Sequence, residues 1–144
     1  FGLNTGIIRR NFVIPADDFT VAGEASSSVK KMLIQLGVDP QKVKKTAISM
    51  YEAEINAVIH ANGGIASVEI DKNKVFIKIQ DKGPGIPDLE LAMKEGYTTA
   101  PDVIREMGFG AGMGLPNMKR YADLLEVKTE VGKGTTVEIT VYLT

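Results

Sequence analysis

Four short stretches of this sequence combine residue types that can do chemistry with spacings that would gather them. Gly108-Phe-Gly-Ala-Gly-Met-Gly114 alternates four glycines over seven positions, just ahead of an expected helix. Without a Cβ the backbone can come close to a ligand and turn its N–H groups inward. At a helix start those groups and the macrodipole favour an anion, most often a phosphate; a plain flexible hinge would be spelled the same way. Upstream, Glu52 and Asn56 are i,i+4 neighbours in a helical pattern, which sets a carboxylate and an amide on one face. Asp81-Lys-Gly83-Pro-Gly85 leaves the end of an expected strand as a tight turn, and Gly134-Thr135-Thr136 opens another strand. With no cysteine and a single histidine, His60, the chain cannot build a thiolate or multi-histidine metal centre. Any metal is therefore a hard ion held by oxygens, with magnesium on a nucleotide the leading candidate.

The elements that must position these residues follow from periodicity. Residues 1–6 read as a loose end, and the alternation from Ile7 to Ile14 as a short strand closed by Pro15. Asp17 or Asp18 is placed to cap a helix running to about Leu36, with Val29, Met32, Leu33 and Leu36 as its apolar stripe and Gly37 as its stop. A second helix, Gln41 to Ala61, turns Val43, Ala47, Met50, Tyr51, Ile55 and Val58 to one broad apolar face. Lys45, Ser49, Glu52, Asn56 and His60 fall on another line, which a solvated face would also produce. Glu54 points into the apolar sector, as a paired or snorkelling side chain. Strands are expected at Ala66–Ile70, Val75–Gln80, Glu126–Glu130 and Thr135–Leu143, with helices at Asp88–Met93 and from Pro116 to Leu124. Val75, Ile77 and Ile79 alternate with Phe76, Lys78 and Gln80, as in a sheet covered mainly on one face. Between Lys94 and Met107 no period holds, which marks a long loop. The sum is one α/β domain, a two-layer sandwich whose mixed, mostly antiparallel sheet is covered on one face by about three helices.

Composition excludes several classes. Seventeen basic and 18 acidic residues leave a net charge of −1 over 144 residues, so no direct binding of nucleic acid is expected. No apolar run approaches the roughly 20 residues of a membrane span, and the lack of cysteine fits a cytoplasmic location. Two nucleotide-binding motifs fail on spacing. A Rossmann fingerprint needs a further glycine where Gly108-Phe-Gly110 has Met113 and where Gly110-Ala-Gly112 has Leu115. A P-loop needs Ser or Thr where Gly132-Lys133 is followed by Gly134.

In order and spacing, Glu52-Ala-Glu-Ile-Asn56, Asp81-Lys-Gly83-Pro-Gly85 and Gly108-Phe-Gly-Ala-Gly-Met-Gly114 resemble the N, first-glycine and second-glycine boxes of the GHKL superfamily of ATPases and kinases, whose architecture is the Bergerat fold. The resemblance covers roughly Val43 to Leu143. The stretches Glu95-Gly-Tyr-Thr-Thr99 and Gly114-Leu-Pro-Asn-Met-Lys-Arg120 are similar to those of stand-alone bacterial switch kinases. Those are anti-sigma serine/threonine protein kinases that act on STAS-domain antagonist proteins.

The resemblance implies ATP and Mg2+ as cofactors, with Asn56 as the magnesium ligand and Glu52 as the general base that takes a serine or threonine proton. An amide oxygen suits a hard cation already bridging phosphates, because it adds a ligand with little added charge. It implies that Asp81 accepts a hydrogen bond from the adenine amino group, with Gly83, Gly85, Ile86 and Thr135 around the base. Thr135 equally suits an ordinary strand position. Gly108, Gly110, Gly112, Met113, Gly114 and Leu115 become the phosphate cradle, at the end of an ATP lid over 94–114 in which Thr98 and Thr99 could touch phosphates. Lys82, Lys119 and Arg120 read as solvated surface cations, and His60 as a structural neighbour of the site. The implied partners are a STAS-domain antagonist and a sigma factor or stress-signalling complex, with the first strand and helix offering a homodimer surface. A regulatory ATP-binding module without phosphotransfer, or a detached histidine-kinase ATP-binding domain, would carry the same motifs. Glu52 beside Asn56 favours the kinase, since a pure binder has no need of a base.

Overall fold

Among the described residues the helix that carries Glu52 and Asn56 is the longest element. In the computed structural model, which describes residues 6–16, 20–60, 63–86, 93 and 114–144, the order is β1 (Ile8–Ile14), α1 (Glu24–Gln35), α2 (Pro40–His60), β2 (Gly64–Ile70), β3 (Lys74–Gln80), α3 (Gly114–Tyr121), β4 (Leu124–Glu130) and β5 (Gly134–Tyr142). The strands form one sheet in the order β1-β2-β3-β5-β4. Every one of its pairings is antiparallel, so the expected mostly antiparallel sheet is antiparallel throughout. The expected helix at 88–93 and lid at 94–114, apart from Met93 and Gly114, lie outside the described residues, as do residues 1–5.

Strand alternation sets the core directly. Register brings Ile8, Ile70, Val75 and Val141 into one row across the sheet, and Val68, Ile77, Ile139 and Leu125 into the next. These rows face Val29 and Leu33 of α1, Val43, Met50, Ala53, Ala57 and Val58 of α2, and Leu115 and Met118 of α3. Three helices therefore cover the apolar face, while partners such as Val13 and Lys78 lie outside the buried set. No helix among the described residues is long and apolar enough to cross a membrane.

Three features differ from expectation. The first helix begins at Glu24 rather than after Asp17 or Asp18, which lie outside the described residues. Its N-cap is Gly23 in the left-handed region, with no capping side chain of its own; the carboxylate of Glu54, on α2, fills that role. Glu54 is thus paired, not snorkelling. On α2 the apolar face is rotated from the expected one. Ala47 is only half-buried and Tyr51 is 37% exposed, whereas Thr46 and Ser49 are fully buried. Their hydroxyls donate to the carbonyls of Lys42 and Lys45 one turn back, so the helix itself satisfies them. Finally, α3 stops at Tyr121 and β4 opens at Leu124, two residues before the expected strand. Asp123 fixes that corner: its N–H donates to the Thr140 carbonyl, and its carboxylate receives the Lys45 ammonium and the Tyr142 N–H.

Candidate functional site

The polar line on α2 is not a solvated face; it lies under α3. Lys45 pairs with Asp123, Ser49 is buried, and the next positions along the line are Glu52 and Asn56. Asn117 Nδ2, on α3, donates to Glu52 Oε2 at 2.9 Å. Gly114, the first residue of α3, sits directly on the Asn56 amide: a Cβ there would lie 2.9 Å from Oδ1 and 3.0 Å from Nδ2. Only glycine lets the backbone come that close. Gly114 therefore meets Asn56, and Asn117, three residues on along α3, meets Glu52.

Asn117 is a residue that motif reading passed over. It stands i+3 from Gly114 on α3, between Pro116 and Met118, both buried. A polar side chain at that spacing, on the face of a helix that begins at a glycine box, was the available signal.

A second cluster forms where β3 ends against the β4–β5 hairpin. The Asp81 N–H donates to the Thr135 carbonyl at 3.0 Å. Its Oδ1 accepts from the Gly83 N–H at 2.9 Å and the Thr135 N–H at 3.0 Å. The fit is close on both sides, since a Cβ at Gly134 would stand 2.2 Å from the Asp81 carbonyl oxygen and one at Gly85 2.6 Å from that of Glu130. Thr135 is buried, and its hydroxyl lies 2.9 Å from that of Thr129. Thr129 Oγ1 also accepts from the Ile86 N–H at 2.8 Å. Asp81, Gly83, Gly85, Ile86 and Thr135 are therefore gathered at one place, with Thr129 as an added member that the sequence presents only as a strand residue.

Other expected site residues are placed differently. Leu115 is 5% exposed and its side chain belongs to the core, so what it can offer a ligand is its main chain. Gly108, Gly110, Gly112, Met113, Thr98 and Thr99 lie outside the described residues, as does the side chain of His60. Lys82, Lys119 and Arg120 are exposed.

Charge is arranged around α2 with effect. Burial pushes the Tyr51 hydroxyl above its ordinary value, and the carboxylates of Glu52 and Glu54 push it further. Among the described residues no three His, Cys, Asp or Glu side chains converge as a metal cage. A single amide oxygen is compatible with magnesium, which habitually takes most of its ligands from phosphate and water. The close approach of Gly114 to Asn56, and the Asp81 carboxylate held by main-chain donors at the end of β3, are compatible with a magnesium nucleotide.

The chain is also similar to known proteins in family and in fold. The profile described as histidine kinase-, DNA gyrase B-, and HSP90-like ATPase matches residues 49–144. The chain is similar to the anti-sigma F factor of Clostridium beijerinckii, 42% identical over 101 residues that make up 66% of each chain. It is similar also to the anti-sigma F factor of Thermoanaerobacter sp., 40% identical over 104 residues, 69% of this chain and 68% of that one. The matches thus span about two thirds of the length of these relatives. The fold is shared with a solved structure of the RsbU and RsbW domains of Rv1364c from Mycobacterium tuberculosis, at a TM-score of 0.64 and 14% identity, covering 94% of this chain and 32% of that one.

Proposed function

The chain belongs to the family of histidine kinase-, DNA gyrase B- and HSP90-like ATPases, and on that premise we propose that it is an ATP- and magnesium-dependent protein serine/threonine kinase of the anti-sigma, partner-switching kind. Its protein substrate in this reading is a STAS-domain antagonist, its further partner a sigma factor, and its location the cytoplasm. The names of the relatives, anti-sigma F factors, support the regulatory half of the reading. The observation that carries the enzymatic half is the meeting of Glu52 and Asn56 with the first turn of α3.

The reaction needs positioning and charge neutralisation more than covalent chemistry. The oxygen of a serine or threonine hydroxyl bonds to the γ-phosphorus of ATP. The bond from that phosphorus to the β–γ bridging oxygen breaks, and its electron pair leaves with ADP. The hydroxyl proton goes to the Glu52 carboxylate, acting as general base. Asn56 would hold the magnesium ion, which when bound neutralises developing phosphate charge. At the other end Asp81 has Oδ1 engaged by two main-chain N–H groups; Oδ2 is the oxygen available to an adenine amino group. That contact selects adenine over guanine, whose keto oxygen cannot donate. Gly114 and the main chain of Leu115, at a helix N-terminus, face phosphate.

The test uses magnesium [γ-32P]ATP with purified STAS-domain proteins of the source organism. Wild-type protein should leave acid-stable phosphate on one of them. Glu52→Ala should lower transfer by about a hundredfold or more, the usual contribution of a general base, while calorimetry finds ATP affinity nearly unchanged. Transfer by that variant at the wild-type rate, or acid-labile phosphate, refutes the reading.

A further inference from the structure

The kinase chemistry gives Asn117 no task of its own. Asn117 is itself assigned to neither nucleotide nor metal, and its Nδ2 is 2.9 Å from Glu52 Oε2. Its backbone is held firmly, because Leu115, Pro116 and Met118 around it are buried and Gly114 is packed on the Asn56 amide. We propose that Asn117 is a positioning residue for Glu52: it engages Oε2, so that Oε1 is presented to the incoming hydroxyl. The inference rests on the reading of Glu52 as the base.

The physical case has two parts. A glutamate side chain has three rotatable bonds, and a base that samples many rotamers spends little time within reach of the proton. One fixed donor on one oxygen removes most of that freedom, which is the role of the orienting third group in other nucleophile–base constellations. Second, the donor is a neutral amide. A lysine or arginine in its place would form an ion pair and stabilise the charged carboxylate, weakening it as a base. An amide orients at much smaller loss of basicity. The competing role is a purely structural clip between α2 and α3, whose loss would lower ATP affinity along with transfer.

The experiment measures single-turnover transfer from magnesium [γ-32P]ATP to a STAS-domain protein of the source organism, with calorimetric ATP affinity alongside. Wild type, Asn117→Ala, Asn117→Asp, Glu52→Asp and the double variant Glu52→Asp/Asn117→Ala are compared. Asn117→Ala should slow transfer about tenfold with ATP affinity within about twofold. Asn117→Asp keeps the shape but loses the donor, and should fall at least as far. Glu52→Asp keeps a carboxylate that is one methylene too short to reach Asn117. In that background Asn117→Ala should cost less than about twofold, because the interaction is already gone. Equal losses in both backgrounds, a parallel loss of ATP affinity, or an Asn117→Ala variant as fast as wild type overturns the positioning role while leaving the kinase standing. A wild-type protein that transfers nothing overturns the kinase reading first, and this inference with it.

Discussion

Removing the carboxylate of Glu54 should destabilise the protein more than any other single polar truncation on α2. A helix N-terminus leaves its first N–H groups without helical acceptors. At α1 those are Gly23, Glu24, Ala25 and Ser26. Glu24 finds the Val21 carbonyl at 3.2 Å. The other three all go to Glu54, Gly23 and Ala25 to Oε2 at 3.0 and 3.2 Å and Ser26 to Oε1 at 3.0 Å. Ala25 and Ser26 are 5% and 4% exposed, and Glu54 is 2% exposed, so bulk water has little access to the two buried donors. Each buried donor left unsatisfied costs about 1–3 kcal/mol, which gives about 2–6 kcal/mol for the pair. Loss of an anion from the positive end of the helix dipole adds about 0.3–1 kcal/mol. Gly23 is half-buried and can turn to solvent. Glu54→Ala should therefore lose about 2–7 kcal/mol in urea denaturation at pH 7, against a total of about 5–15 kcal/mol for an ordinary domain. Glu54→Gln keeps the shape and one accepting oxygen but turns an NH2 toward a donor, and should lose about 1–2 kcal/mol. A Glu54→Ala variant within about 1 kcal/mol of wild type, or a glutamine variant as damaged as the alanine one, would refute the capping account.

Two further outcomes follow from contacts at either end of the same helix. Gly114→Ala would drive a methyl into the Asn56 amide at 2.9 Å; calorimetry should show magnesium–ATP affinity down about tenfold, the scale seen when the support of a metal ligand is disturbed. Its unfolding free energy should stay within about 1 kcal/mol, since alanine is favoured over glycine in a helix, and unchanged affinity would speak against Asn56 as the ligand. At Asp123 burial works against ionisation, but the Lys45 ammonium and the Tyr142 N–H outweigh it and hold the carboxyl below its ordinary value of 3.8. A carboxyl depressed on folding stabilises the protein above its unfolded value, and that gain is lost as pH falls through the folded one. Asp123→Asn should thus lose about 1 kcal/mol at pH 7. The gap to wild type in chemical denaturation should close as pH drops below about 4, and a gap unchanged at low pH would remove the ion pair as its cause.

Local pattern was enough for most of the architecture because the sheet buries one face. Alternation in Val75, Ile77 and Ile79 can be satisfied in only one orientation, and a slip by one residue would expose the whole set. The start of α1 was not legible for the opposite reason: its cap lies about thirty residues away in sequence, on Glu54, while Asp17 and Asp18 looked like local caps. The same limit applies to α2. Helical spacing put Lys45, Ser49, Glu52 and Asn56 on one line, but spacing cannot say whether a polar line faces water or another helix. The glycine boxes carried that information only as a set, since Gly114 is needed for the approach of α3 to Asn56, and Gly134 for that of β5 to Asp81. Thr129 and Asn117 stayed hidden because each acts through another residue rather than through a motif of its own.

The polar contacts of α2 do something its apolar face cannot. Burial of Val43, Met50, Ala53, Ala57 and Val58 holds the helix on the sheet, but apolar attraction is non-directional and tolerates a modest rotation about the helix axis. Hydrogen bonds do not. Within little more than one turn, Glu54 reaches the N-terminus of α1, Glu52 reaches Asn117, and Asn56 meets Gly114; two turns earlier Lys45 ties the same helix to Asp123. Glu54 leaves α2 on a different side from Lys45, Glu52 and Asn56, so no single rotation preserves all four contacts. They set the angle at which Glu52 and Asn56 are presented, which under the kinase reading matters because misplacement by about 1 Å can cost a hundredfold in rate. Core substitutions on α2 should consequently lower stability while leaving the site geometry in place, whereas losing Glu54 or Asp123 should disturb the setting of the helix even in molecules that remain folded.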